Sequence, residues 1–109
     1  MIRVGTSDLP VACTLDGRAL ATRQSELRAS VLAEAESVER LPDGYRWRFR
    51  AGRDLLARLG PIIDAERRCC RFLQFAIAAD PDLGSVTVDV TGPAGTADFL
   101  ETWIAPASA

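Results

Sequence analysis

The sequence predicts a single α+β domain over residues 1–109, with elements in the order α-β-β-α-β-β-α and a four-stranded antiparallel sheet of two hairpins covered by helices. Three observations predict it. Apolar residues recur at helical spacing in three stretches, and they alternate in the short stretches between them. The short stretches come in pairs, joined by the turn sequences Asp43-Gly44 and Asp80-Pro81-Asp82. A chain of 109 residues, 48% hydrophobic and 26% charged, is long enough to bury one core without disulfide staples.

Taken in order, residues 1–13 read as an extended arm with a short strand at Ile2 to Val4. Thr14 or Asp16 caps a first helix predicted from Arg18 to Ala35. Leu20, Leu27, Val31 and Ala35 line its apolar side, with Arg23, Glu26 and Glu34 placed elsewhere. The first hairpin joins Val38–Leu41 to Tyr45–Arg50 around Asp43-Gly44, a dipeptide that favours a two-residue turn at positive φ. Counting outward pairs Arg40 with Trp47, Glu39 with Arg48 and Val38 with Phe49. Tyr45, Trp47 and Phe49 then face the core, and Arg46, Arg48 and Arg50 face water. Three arginines in alternation can look like a phosphate-binding stripe, but a solvated strand face partly paired with Glu39 is the simpler reading.

The second helix is predicted over Arg53–Arg71, burying Leu55, Leu59, Ile62, Ile63 and Cys70. Gly60-Pro61 should kink it, because proline has no amide hydrogen for the carbonyl four residues back. The second hairpin alternates Leu73, Phe75, Ile77 and Ala79 on one strand with Val86, Val88 and Val90 on the other. Gly92-Pro93 stops the sheet, and a last helix over Ala94–Ile104 buries Phe99, Leu100, Trp103 and Ile104. Phe49, Leu59, Phe75, Ile77 and Val88 are expected at the centre of the core. The strand order is left open by this pattern.

Charge narrows the function. Residues 40–71 carry nine arginines against four acids, whereas residues 72–109 carry five acids and no base. Blocks of opposite sign are expected to neutralise each other within the fold, and with the overall acidic pI this argues against nucleic acid as a partner. No apolar run reaches the roughly 20 residues of a membrane span, and no basic-then-apolar leader opens the chain. Three cysteines, two of them adjacent, do not suit a secreted disulfide framework. The expectation is a cytoplasmic protein with reduced thiols and no membrane partner.

The strongest chemical signal is Glu66-Arg67-Arg68-Cys69-Cys70-Arg71-Phe72-Leu73. Neighbouring helical residues project about 100° apart, so Cys69 and Cys70 cannot both point straight into the core. Glu66 lies within reach of both and falls on the apolar stripe between Ile63 and Cys70. A carboxylate there needs a partner, a proton or a metal. Arg67, Arg68 and Arg71 favour a neighbouring thiolate, and the negative end of the helix dipole opposes them. If the N-terminal segment folds over this helix end, Cys13 joins the pair. With no histidine in the chain, zinc would need all three cysteines plus Glu66 or water. Three thiolates alone suit Hg(II), As(III), Pb(II) or Cu(I), because soft sulfur selects soft ions. The lack of histidine also excludes a Ser-His-Asp triad and a Cys-His pair. Gly92-Pro93-Ala94-Gly95 lacks the lysine and hydroxyl residue of a phosphate loop and reads as a turn and cap.

A cysteine before the first helix, an Asp-Gly-Tyr hairpin, Glu66-Arg-x-Cys-Cys-x-Phe-Leu-x-Phe75 and a closing Gly-Pro-x-Gly-x-x-x-Phe-Leu100 resemble a group of small bacterial proteins associated with mercury and other heavy-metal resistance loci. The likeness covers residues about 11 to 104, and Cys-Cys-x-Phe-Leu is its most specific part. It implies a three-cysteine soft-metal site at Cys13, Cys69 and Cys70, with Glu66 adjoining. Arg71 departs from the pattern, which has proline there, and so lets the second helix run further.

The leading expectation is therefore a cytosolic scavenger or carrier of Hg(II) or a similar ion. Three readings stand beside it. Glu66 can act as the acid of a carbon–mercury-cleaving enzyme. Cys13 can resolve an oxidised thiol in a redox protein. The cysteines can also be inert core residues of a protein-interaction module. A transfer partner and a homodimer are both left open.

Overall fold

In the computed structural model, which describes residues 29–104 together with Arg18, Thr22, Arg23 and Glu26, the chain is α+β with one open antiparallel sheet. A 3-10 turn at Val31–Glu34 leads into β1 (Ser37–Leu41) and β2 (Gly44–Phe49). Helix α1 (Leu55–Cys69) follows, then β3 (Gln74–Ala79), β4 (Val86–Thr91), α2 (Thr96–Leu100) and a 3-10 turn at Glu101–Trp103. The expected order α-β-β-α-β-β-α is not matched: among the described elements only a 3-10 turn precedes β1, a helix sits between β2 and β3, and a short helix follows β4. At the C-terminal end of the expected first helix, Ser30 caps a fresh 3-10 turn, its Oγ accepting the Leu32 N–H at 3.3 Å. Arg18, Thr22, Arg23 and Glu26 are helical. The predicted arm, the Ile2–Val4 strand, Cys13 and the Thr14 or Asp16 cap lie outside the described residues.

The strand order is β1-β2-β4-β3. One face of the sheet carries Tyr45, Trp47 and Phe49 opposite Val90, Val88 and Val86, all buried, as the alternation predicts. The opposite face is polar, and there Arg46 makes a two-pronged pair with Asp89, at 2.7 and 2.8 Å. Arg40 reaches Asp98 and Glu101 at 2.8 and 3.2 Å. The basic middle and the acidic C-terminal block thus do meet across the fold.

The first hairpin differs from its predicted register. Val38 pairs with Trp47, Glu39 with Arg46 and Arg40 with Tyr45, so the loop is Pro42-Asp43 and Leu41 faces Gly44. Pro42, with its fixed φ, takes the first loop position, and neither Asp43 nor Gly44 has a positive φ. Gly44 serves another purpose: a Cβ there would overlap the Val90 carbonyl oxygen of β4. The slip spans two residues, so by the period of a strand each side chain keeps its predicted face.

Phe75 and Ile77 also depart from expectation. Phe75 is half-buried and Ile77 is 47% exposed, because β3 is an edge strand rather than a central one. The core is one cluster that joins the inner sheet face to Leu55 and Leu59 of α1, Phe72 and Leu73 after it, and Ala97, Leu100 and Trp103. The last helix is shorter than predicted and tightens into its 3-10 turn at Glu101, which places Trp103 on Trp47 with ring centroids 6.2 Å apart.

Candidate metal centre

Helix α1 runs through Pro61 and stops at Cys69, short of the predicted Arg71. Its last backbone bond is from Cys70 N–H to the Glu66 carbonyl at 2.7 Å, after which Cys70 turns out of helical geometry (φ −119°, ψ 81°). The chain must leave the helix there because Phe72 and Leu73 enter the core. Three contacts fix this exit. Leu73 N–H donates to the Cys70 carbonyl at 3.1 Å, and Phe72 stacks edge-on against Phe99 with centroids 5.2 Å apart. Gly92 lets the backbone leading into α2 approach Phe72, since a Cβ at Gly92 would sit 3.1 Å from the Phe72 carbonyl oxygen.

This exit resolves the angular problem of two adjacent cysteines. Cys69 ends the helix half-buried, and Cys70, already off the helix, turns its thiol fully inward. The two sulfurs stand 3.8 Å apart, well beyond the roughly 2.05 Å of a disulfide. A Glu66 carboxylate oxygen and both sulfurs all lie within 4.8 Å of one another. Glu66 is 1% exposed, on the same helical face as Leu55 and Leu59.

Glu66 has a partner that the sequence reading missed. Arg23 donates from Nε to Glu66 Oε2 at 2.5 Å. The signal was present: Arg23 falls three residues after Leu20 and four before Leu27, on the stripe from which it was excluded. Burial pushes the Glu66 carboxyl above the usual carboxylate range, and the Arg23 guanidinium only partly offsets this. A carboxylate has two oxygens with about four lone-pair sites, so Oε1 keeps its capacity to accept or ligate. Arg67, Arg68 and Arg71 are exposed, and Arg68 pairs with Asp64 at 2.8 Å. Together with Leu73 these four rim an open concavity of about 630 Å³ beside the helix end.

The donor set of two sulfurs and one carboxylate oxygen is soft, charged when deprotonated, and shielded from water on the Cys70 and Glu66 side. It suits a thiophilic ion and does not suit magnesium or calcium, which take six or more oxygens. Cys13, the third expected ligand, lies outside the described residues. Among the described residues, no helix is long and apolar enough to cross a membrane. Compared with family models, with curated proteins and with solved structures, the chain matches none of them.

Proposed function

We propose that the chain binds a thiophilic metal ion, Hg(II) or a similar soft ion, and acts as a cytosolic scavenger or carrier. Cys69, Cys70 and Cys13 supply the thiolates, and Glu66 adjoins them. One observation carries the reading: three donors of the right chemistry, from residues three and four apart, converge within 4.8 Å. Their spacing also speaks to coordination number. With metal–sulfur bonds of about 2.3 Å, sulfurs 3.8 Å apart subtend about 111° at the ion, near the trigonal and tetrahedral angles and far from linear. That angle calls for a third donor, which Cys13 or Glu66 provides. Zn(II), As(III) and Cu(I) fall within the same donor chemistry, and competition among ions selects between them. Thiolate exchange then hands the ion on.

The test is native mass spectrometry of the reduced chain with one equivalent of Hg(II), Zn(II) or arsenite, accompanied by alkylation of each cysteine. A one-to-one complex that protects Cys69, Cys70 and Cys13 together is the expected result. Cys69→Ser or Cys70→Ser should weaken binding by at least about tenfold, the scale of losing one ligand's contribution. Unchanged affinity in the double variant would sink the proposal.

A second reading, cleavage of a carbon–mercury bond, draws on the burial of a raised-pKa Glu66 beside both sulfurs. The bond between carbon and mercury breaks, the carbon takes the Glu66 proton, and the mercury stays on the two thiolates. Release of the hydrocarbon from a simple organomercurial, lost in Glu66→Gln while Hg(II) binding remains, separates this activity from carriage alone.

A further inference from the structure

The outer edge of β3 has no strand beside it among the described residues. The two edges of the sheet are built differently. β1 carries Glu39 and Arg40, charges of the kind that discourage a second chain from adding to an edge. β3 reads Gln-Phe-Ala-Ile-Ala-Ala, with no charge and no proline, and all of it but Phe75 is exposed. An uncharged, regular, six-residue edge is a template for strand addition.

The direction of its backbone groups follows from the hairpin. Asp80 donates its N–H to the Ser85 carbonyl at 2.8 Å, so Asp80 and Ser85 form a bonded pair. Alternation in an antiparallel ladder then turns the N–H and C=O groups of Gln74, Ala76 and Ala78 toward β4. Those of Phe75, Ile77 and Ala79 point outward, to solvent. The same three residues carry side chains on the apolar face of the sheet, in line with Val90, Val88 and Val86.

We infer that β3 pairs with β3 of a second copy of this chain, antiparallel about a two-fold axis at Ile77, joining two four-stranded sheets into one. This register satisfies the outward groups of Phe75, Ile77 and Ala79 with the same groups of the second copy. It sets Phe75 opposite Ala79, large against small, and brings the two Ile77 side chains together across the axis, covering a residue that is 47% exposed in one copy. On the polar face Ala76 meets Ala78 without a clash, and the Gln74 amide meets the Asp80 carboxylate as donor to acceptor. Centring the axis one residue earlier would set Asp80 against Phe72 instead. No pair of like charges faces across the axis, and an isologous contact of this kind closes on itself as a dimer.

The test uses the full reduced chain without added metal. Sedimentation equilibrium should show a monomer–dimer equilibrium that rises with concentration. In the same range, amide hydrogen exchange by NMR should show protection growing at Phe75, Ile77 and Ala79, the amides that point outward in one copy. Ile77→Lys, which places two ammonium groups on the axis, should remain folded by circular dichroism and sediment as a monomer. A monomer at every concentration overturns the inference. So does a dimer in which those three amides exchange freely, or a dimer that survives in a folded Ile77→Lys. If Ile77→Lys does not fold, the wild-type exchange pattern decides alone.

Discussion

Glu66 stands among leucines and two sulfurs with Arg23 as its ionic partner, and its protonation is therefore tied to the stability of the fold. Burial raises its pKa from 4.5, so the folded chain holds this proton more tightly than the unfolded chain does. Between pH 4.5 and the raised folded value, the unfolded state binds fewer protons, and stability falls as pH rises through that window. Below it the Glu66 contribution is fully present; above it the carboxylate's burial penalty is borne in full. Glu66→Gln removes the titration while keeping an oxygen for Arg23. The difference in urea midpoint, wild type minus variant, should therefore decline as pH is raised from about 4.5 to about 8. A difference that stays flat or climbs would mean that Arg23 outweighs desolvation and that Glu66 is an ordinary ionised partner. A soft ion at the sulfurs has a related effect, because a cation beside Glu66 favours the carboxylate and displaces its proton.

At the scale of elements, two glycines show how the same residue type is held for opposite reasons. Gly44 sits in β2 against β4, where any side chain would collide with the Val90 carbonyl. Gly44→Ala must push the two central strands apart at the hairpin end and should destabilise by about 2 kcal/mol or more. Gly60 lies in the interior of α1, and a Cβ there would meet nothing within 4 Å. Gly60→Ala should stabilise by about 0.5–1 kcal/mol, because the unfolded chain loses freedom that the helix never had. Urea midpoints of the two variants should thus move in opposite directions. If Gly60→Ala were destabilising, an undisturbed α1 with open space at that turn would be wrong. The pair also bears on the site, since α1 carries Glu66 and Cys69 at its far end, and a firmer helix holds the donors at a fixed spacing.

For the molecule as a whole, the faces of the sheet, the presence of α1 and the convergence of Glu66 with Cys69 and Cys70 were legible, because each rests on a period of two or on spacings of three and four. What failed depends on information that a period does not carry. An edge strand and a central strand alternate alike, so Ile77 read as core until the order β1-β2-β4-β3 placed it at a rim. Pro42 moved the turn because a ring-locked φ outranks the Asp-Gly preference. The Arg23–Glu66 pair spans 43 residues and needs Arg23 to be brought against α1, which no local pattern states. The last helix was expected to bury Trp103, and it does, at 3% exposure, although by way of a 3-10 turn rather than continuous α-helix. That residue packs against Trp47 in β2, so its loss opens a cavity beside that ring. Trp103→Ala should cost about 3–5 kcal/mol, a large share of the roughly 5–15 kcal/mol that holds a domain of this size. The melting temperature should fall by more than about 10 °C at that penalty, whereas Leu56→Ala, at a position 51% exposed, should leave it within a few degrees. Equal melting of the two variants would show that α2 and its terminal turn lie on the sheet without sealing it.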